Sequence, residues 1–140
     1  MTAVRDRMLT RCTTHPAGAT IGDAREFFAD DHKHLMLLVS DGRLLGTVVR
    51  SVLATAGADD RPALEVAVLA GRTVAPDDDV DRVRSDLLTH DMRRIAVVGE
   101  GGRLLGLLCL KKHRRGFCSD DDVASRAEER VGYFAGNDEA

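Results

Sequence analysis

The 140 residues carry a net charge of −3 from 20 basic and 23 acidic side chains, so bulk charge does not point to nucleic acid or an acidic membrane surface. Aromatic residues make up only 4% and Trp is absent, which disfavours single-strand nucleic-acid stacking and leaves the core to Leu, Val, Ala, Ile and Met. No apolar run reaches the length of a membrane span, the first residues lack a signal-peptide core, and Cys12, Cys109 and Cys118 have no metal-type spacing, so the sequence reads as cytoplasmic.

In chain order, Val4 to Leu9 is a short apolar segment leading into an extended stretch before Pro16, because proline holds the preceding residue extended. Ile21, Ala24, Phe27 and Phe28 then recur at helical spacing. His32-Lys33-His34 reads as a polar loop before an apolar strand, Leu35 to Val39. Ser40-Asp41-Gly42 is a hairpin signal, and Leu44 to Val49 is the return strand. Apolar residues run through both strands without alternation, which predicts cover on both faces. Ser51 is placed to cap a short helix through Ala56, and residues 57–62 form a link.

The same order then recurs. Leu64 to Leu69 leads to an extended stretch before Pro76. Val80, Val83, Leu87 and Leu88 have helical spacing, and Ile95 to Val98 is the apolar strand. Glu100-Gly101-Gly102 is the turn and Leu104 to Leu110 the return strand. Ser119 with Asp122 resembles a capping box for a helix running to Val131, and residues 136–140 read as a frayed tail.

A shift of 60 positions lays Arg43-Leu44-Leu45-Gly46 on Arg103-Leu104-Leu105-Gly106, Gly42 on Gly102, Pro16 on Pro76 and Thr13 on Thr73. Val4 falls on Leu64, Met8 on Val68, Leu35 on Ile95, Leu37 on Val97 and Leu38 on Val98. Agreement of glycine, proline and apolar positions over about fifty residues marks an internal duplication. The helical positions differ by one between copies, so a short loop must absorb one residue.

Two β-α-β-β-α copies, each with an apolar strand, a glycine turn and Leu-Leu-Gly, resemble a pair of cystathionine-β-synthase (CBS) domains, a Bateman module. The resemblance implies an α+β fold of two repeats with pseudo-twofold symmetry: residues 1–60 and 61–125, followed by a helix end and tail over 126–140. It also implies a homodimer through the helical faces. The clefts between repeats often hold AMP, ATP or S-adenosylmethionine in that family. Carried over, the ligand positions are Thr13, Thr14, His15, Pro16, Leu37, Thr47, Val49 and Val52 in the first repeat. In the second they are Thr73, Val74, Pro76, Val97, Cys109, Lys112 and Arg114.

Adenosine-binding members carry Thr or Ser three residues after the return-strand glycine and Asp six residues after it. Here those places hold Val49 and Val52, and Cys109 and Lys112. An aliphatic side chain cannot accept the ribose hydroxyls, and a buried unsatisfied hydroxyl costs about 1–3 kcal/mol.

The other polar clusters have plain readings. The run Lys111 to Arg115 is a solvated loop or helix end, with a phosphate site at the second cleft as its functional reading. His32, His34, Cys12 and His15 lack zinc spacing. Asp77-Asp78-Asp79 and Asp120-Asp121-Asp122 precede helical stretches and read as caps. Cys109 reads as a small buried hydrophobe, and Cys118, beside basic residues, as a thiol of lowered pKa at most. Nucleophile, base and orienting group do not assemble from local motifs. The expected function is a non-enzymatic, ligand-responsive regulatory module without cofactor or metal, sensing an anionic or adenine-nucleotide-type ligand and acting on an unidentified protein partner. The alternative is a structural or protein-interaction module that has lost ligand binding.

Overall fold

The computed structural model describes residues 1–111 and 116–118. It contains two three-stranded sheets. The first is built from β1 (His15–Pro16), β2 (Met36–Ser40) and β3 (Arg43–Val48), with α1 (Ile21–Phe27) crossing between β1 and β2. The second repeats this with β4 (Thr73–Val74), α2 (Val80–Thr89), β5 (Arg94–Val98) and β6 (Leu104–Cys109). In each, the first pair is parallel and the second antiparallel. The two repeats share one topology, as the duplication predicts.

Local chemistry sets the element ends. Thr20 Oγ1 accepts from the Asp23 amide at 3.2 Å while the Asp23 carboxylate accepts from the Thr20 amide at 2.9 Å, a reciprocal cap that starts α1. Asp79 caps α2 by accepting from the Asp81 amide at 3.1 Å, and Asp78 accepts from the Ala75 amide at 2.9 Å. Only Asp79 of the three aspartates read as caps is the helix cap; Asp78 closes the preceding turn and Asp77 pairs with Arg5. Asp41 and Gly42, at φ 52° and 79°, form the two-residue hairpin between β2 and β3, which needs both residues left-handed.

The one-residue difference between repeats lies in the second hairpin. Ile21, Ala24 and Phe28 are matched by Val80, Val83 and Leu87, a spacing of 59. Leu38 opposite Gly46 is matched by Val97 opposite Gly106, so β2 maps onto β5 at 59 and β3 onto β6 at 60. The extra residue sits between Gly99 and Arg103, where Gly101 and Gly102 take φ 70° and 82°. The ungapped shift of 60 is therefore corrected over the part preceding the second hairpin. Pro16 corresponds to Ala75 and Leu37 to Ala96, and the alignment of Pro16 with Pro76 does not hold in space.

The segment leading each repeat crosses to the other. A 3-10 turn at Val4–Asp6 docks on the second repeat, with the Val4 amide donating to Asp78 O at 2.9 Å. Leu9 and Leu107 exchange backbone hydrogen bonds at 2.7 and 2.9 Å. Reciprocally, Ala63 donates to Ala19 O at 2.9 Å, and Val68 and Thr47 exchange bonds at 2.8 and 2.9 Å. The Leu-Leu-Gly glycines lie under these crossings. A Cβ on Gly46 would stand 2.6 Å from Ala67 Cβ, and one on Gly106 would stand 2.3 Å from Leu9 O. Only a residue without a side chain allows the segment this close.

Burial falls into three clusters. Leu35, Leu37 and Leu44 meet Leu9, Ala96, Leu107 and Cys109 between the repeats. Ile21, Ala24, Phe28, Met36, Leu38 and Val48 form the helix-side core of the first repeat. Val80, Val83, Leu87, Ile95, Val97 and Leu108, with Val4, form that of the second. Both strand faces are covered, as the unbroken apolar runs predict.

One local expectation is corrected. The Ser51 helix is a 3-10 helix, Arg50–Thr55, with no side-chain cap. Lys33 lies in the loop before β2 but is buried at 6% exposure, with its ammonium 5.7 Å from the Phe27 ring centroid. Its aliphatic stem gives it the means to lie against apolar surface. Arg50 ties this loop down by donating to the carbonyls of Phe28, Asp30 and Lys33. The helix expected from Ser119 to Val131 lies outside the described residues.

Candidate functional site

Pseudo-twofold symmetry creates two equivalent places between the repeats, one beside Val49 and the other beside Cys109. They differ in occupancy. After β6 the chain turns back on itself: Leu110 pairs with Phe117, and the Cys118 amide donates to Cys109 O at 2.7 Å. Cys118 is buried in the inter-repeat core with Leu9, Leu35 and Cys109. The chain's own residues therefore fill the Cys109 side. Cys118 is buried at 3% exposure, unlike the partly exposed thiols that react readily.

The Val49 side holds a cavity of about 220 Å³. Its walls combine His34, Leu35 and Val49 of the first repeat with Arg72, Asp91, Met92, Arg93 and Arg94 of the second. Three arginines and one aspartate thus line one space. Arg93 and Arg94 come from the chain entering β5, and Arg72 precedes β4. Arg72 Nη1 lies 3.3 Å from Met92 Sδ, and Arg93 Nε donates to Leu110 O at 3.1 Å, which orients both side chains. Asp91, at φ 52°, turns the chain between α2 and β5.

Arg94 is the unusual member. Its spacing of 59 places it where the first repeat has Leu35, and it is buried at 6% exposure.

The structure distributes the sequence-predicted residues widely. Val49 lines the cavity. Leu37 and Cys109 are closed within the inter-repeat core. Thr47 is buried and its hydroxyl donates to Val68 O at 2.7 Å. Val97 and Val52 point into the helix-side cores rather than the cleft, a correction that for Val97 follows from the 59-residue register. Thr73 and Val74 line a different cavity on the second repeat. Pro76 accepts from the Arg5 amide through its carbonyl at 3.0 Å. Thr13, Thr14, His15 and Pro16 lead into or form β1 at the sheet edge. Lys112 and Arg114 lie outside the described residues.

His15 packs edge-on to Phe27, with ring centroids 4.8 Å apart. Its Nδ1 is buried and makes no hydrogen bond. Burial pushes the imidazole pKa below its ordinary 6.5; Asp23 opposes this and Lys33 adds to it. The ring's contacts in this structure are packing contacts. Among the described residues no group of three His, Cys, Asp or Glu side chains is placed to hold a metal ion.

Sequence reasoning missed Arg72, Arg93, Arg94 and His34. The signal was present: Arg93-Arg94 directly precedes an apolar strand, where the 59-residue register places His34-Leu35 in the sister repeat.

Residues 68–112 match the family model of the CBS domain. Solved structures with the same fold include a CBS domain protein from Pyrobaculum aerophilum complexed with AMP, 23% identical, covering 77% of this chain and 87% of its own, with a TM-score of 0.63. A putative acetoin utilization protein from Vibrio cholerae is 21% identical over 92% of both chains, with a TM-score of 0.66. A CBS domain pair in complex with 5-methylthioadenosine and S-adenosyl-L-methionine is 21% identical, covers 78% of this chain and 90% of its own, and has a TM-score of 0.61. No curated protein sequence matches the chain. The second repeat matches the CBS domain model, and the two repeats together have the fold of these tandem CBS domain pairs.

Proposed function

We propose that this CBS pair is a non-enzymatic regulatory module that binds one anionic, phosphate-bearing ligand in the Val49-side cleft. The observation that carries this reading is the convergence of Arg72, Arg93 and the buried Arg94 on one cavity. Guanidinium groups grip phosphate bidentately. A volume of about 220 Å³ is below the usual range for a whole small molecule and matches an anionic head group, with the remainder lying outward over Val49 and Leu35. Relatives of this fold complexed with AMP, or with S-adenosyl-L-methionine, make an adenine nucleotide the first candidate. The ribose would then lack the usual hydroxyl and carboxylate anchors, because Val49 and Val52 occupy those places.

The cleft joins the two repeats, so a ligand there acts by favouring one packing of the pair over another. The response passes to a protein partner or to a second copy of the chain in the cytoplasm. No helix among the described residues is long and apolar enough to cross a membrane.

Thermal melting with AMP, ADP, ATP, S-adenosylmethionine, pyrophosphate and phosphate tests the proposal. A ligand at a hundred times its dissociation constant stabilises by about 2.7 kcal/mol, a visible shift. No shift with any of them refutes the anion reading and favours a module that acts through protein contacts alone.

A further inference from the structure

We propose that the second repeat carries a separate pocket, on the helix side of its sheet, that takes the aromatic ring of a small amine. The pocket has a volume of about 620 Å³, within the range of about 300–1000 Å³ usual for small-ligand sites, and its walls include Val74, Val83, Asp86, Leu87, Met92 and Ile95. The 59-residue register sets these on His15, Ala24, Phe27, Phe28, Lys33 and Met36 of the first repeat.

The first repeat fills the matching space with its own side chains. The Phe27 ring stands edge-on to His15 at 4.8 Å and 80°, and the Lys33 ammonium lies 5.7 Å from its centroid. In the second repeat all three are exchanged: Phe27 for Asp86, His15 for Val74 and Lys33 for Met92. The ring is gone while the apolar floor of Val83, Leu87 and Ile95 remains in the helix-side core. A ligand ring laid there would regain the contacts that Phe27 makes in the sister repeat. Met92 suits such a ring because thioether sulfur packs favourably against aromatic edges.

Charge selects the substituent. Where the first repeat holds a cation over its ring, the second offers the exposed Asp86 carboxylate, so a cation borne by the ligand restores the pairing. His90 holds its Nδ1 2.8 Å from Asp86 O and forms part of the wall. Arg72 also lines the pocket, with one N–H 3.3 Å from Met92 sulfur, so the Asp86 carboxylate must outweigh its charge for a cation to be preferred. The pocket shares Arg72 and Met92 with the cleft but rests on a different core, so it stands whether or not the cleft binds an anion.

Methyl NMR titrations with benzylamine and phenylacetate test this. Benzylamine is expected to give saturable shifts at the Val74, Val83, Leu87 and Ile95 methyls. Phenylacetate, with the same ring and opposite charge, should bind about three- to fivefold more weakly, the range of an exposed ion pair. Asp86→Asn should erase that preference, and Asp86→Phe, which rebuilds the first repeat's filling, should abolish binding and raise Tm. Val74→Phe is a second way to fill the pocket and should also abolish binding. The proposal is overturned by an absence of saturable shifts, by equal binding of the two probes to the native chain, or by binding that survives both filling substitutions.

Discussion

Replacing Gly106 with Ala should destabilise the fold sharply because of where the leading segment crosses. The added Cβ would stand 2.3 Å from Leu9 O and 3.0 Å from Met8 Sδ. The methionine can move, but the carbonyl belongs to a backbone that also exchanges two hydrogen bonds with Leu107. Overpacking of this kind costs about 1–3 kcal/mol. Displacing Leu9 weakens its two hydrogen bonds, each worth about 1 kcal/mol net. The sum is a loss of about 2–4 kcal/mol, or roughly 10 °C in Tm for a domain of this size. Urea denaturation at constant pH is the assay, with an unchanged slope showing that the transition remains two-state. Gly18→Ala is the control, because nothing lies within 4 Å of its added Cβ. If Gly106→Ala melts with the control, the crossing does not explain the Leu-Leu-Gly motif.

Other outcomes follow from the same structure. Arg93→Ala should weaken binding of the phosphate-bearing ligand about tenfold or more with little loss of stability, whereas Arg94→Ala, at a buried site, should lower both; calorimetric titration with paired melts separates them. The depressed His15 pKa makes the folded state bind fewer protons than the unfolded state below the ordinary 6.5. His15 therefore contributes full stability above that value, and the contribution falls as pH drops toward the folded pKa. Melts from pH 7.5 to 5 should show this decline, and His15→Phe should flatten it. Arg50→Ala should cost about 1–3 kcal/mol because three carbonyls lose a charged donor, and Arg50→Lys should recover only part, since one ammonium cannot reproduce the planar fork.

The repeat, the order of its elements and the aspartate cap of α2 were legible in the sequence, because each rests on spacing within a few residues. Leu44-Leu45-Gly46 and its copy announced the duplication, and Ile21, Ala24, Phe27 and Phe28 at helical spacing announced α1. What needed tertiary structure was everything set between distant residues. An ungapped shift conceals that β2 and β5 match at 59 while β3 and β6 match at 60, and a one-residue slip turns a strand side chain to the opposite face; Val97 was so misplaced. Composition likewise shows neither that Cys118 enters the inter-repeat core beside Cys109 nor that Arg72 joins Arg93 and Arg94 at the other cleft. Local preference writes each repeat almost identically; the chain crossing and the packing of one repeat on the other decide which of two equivalent places stays open.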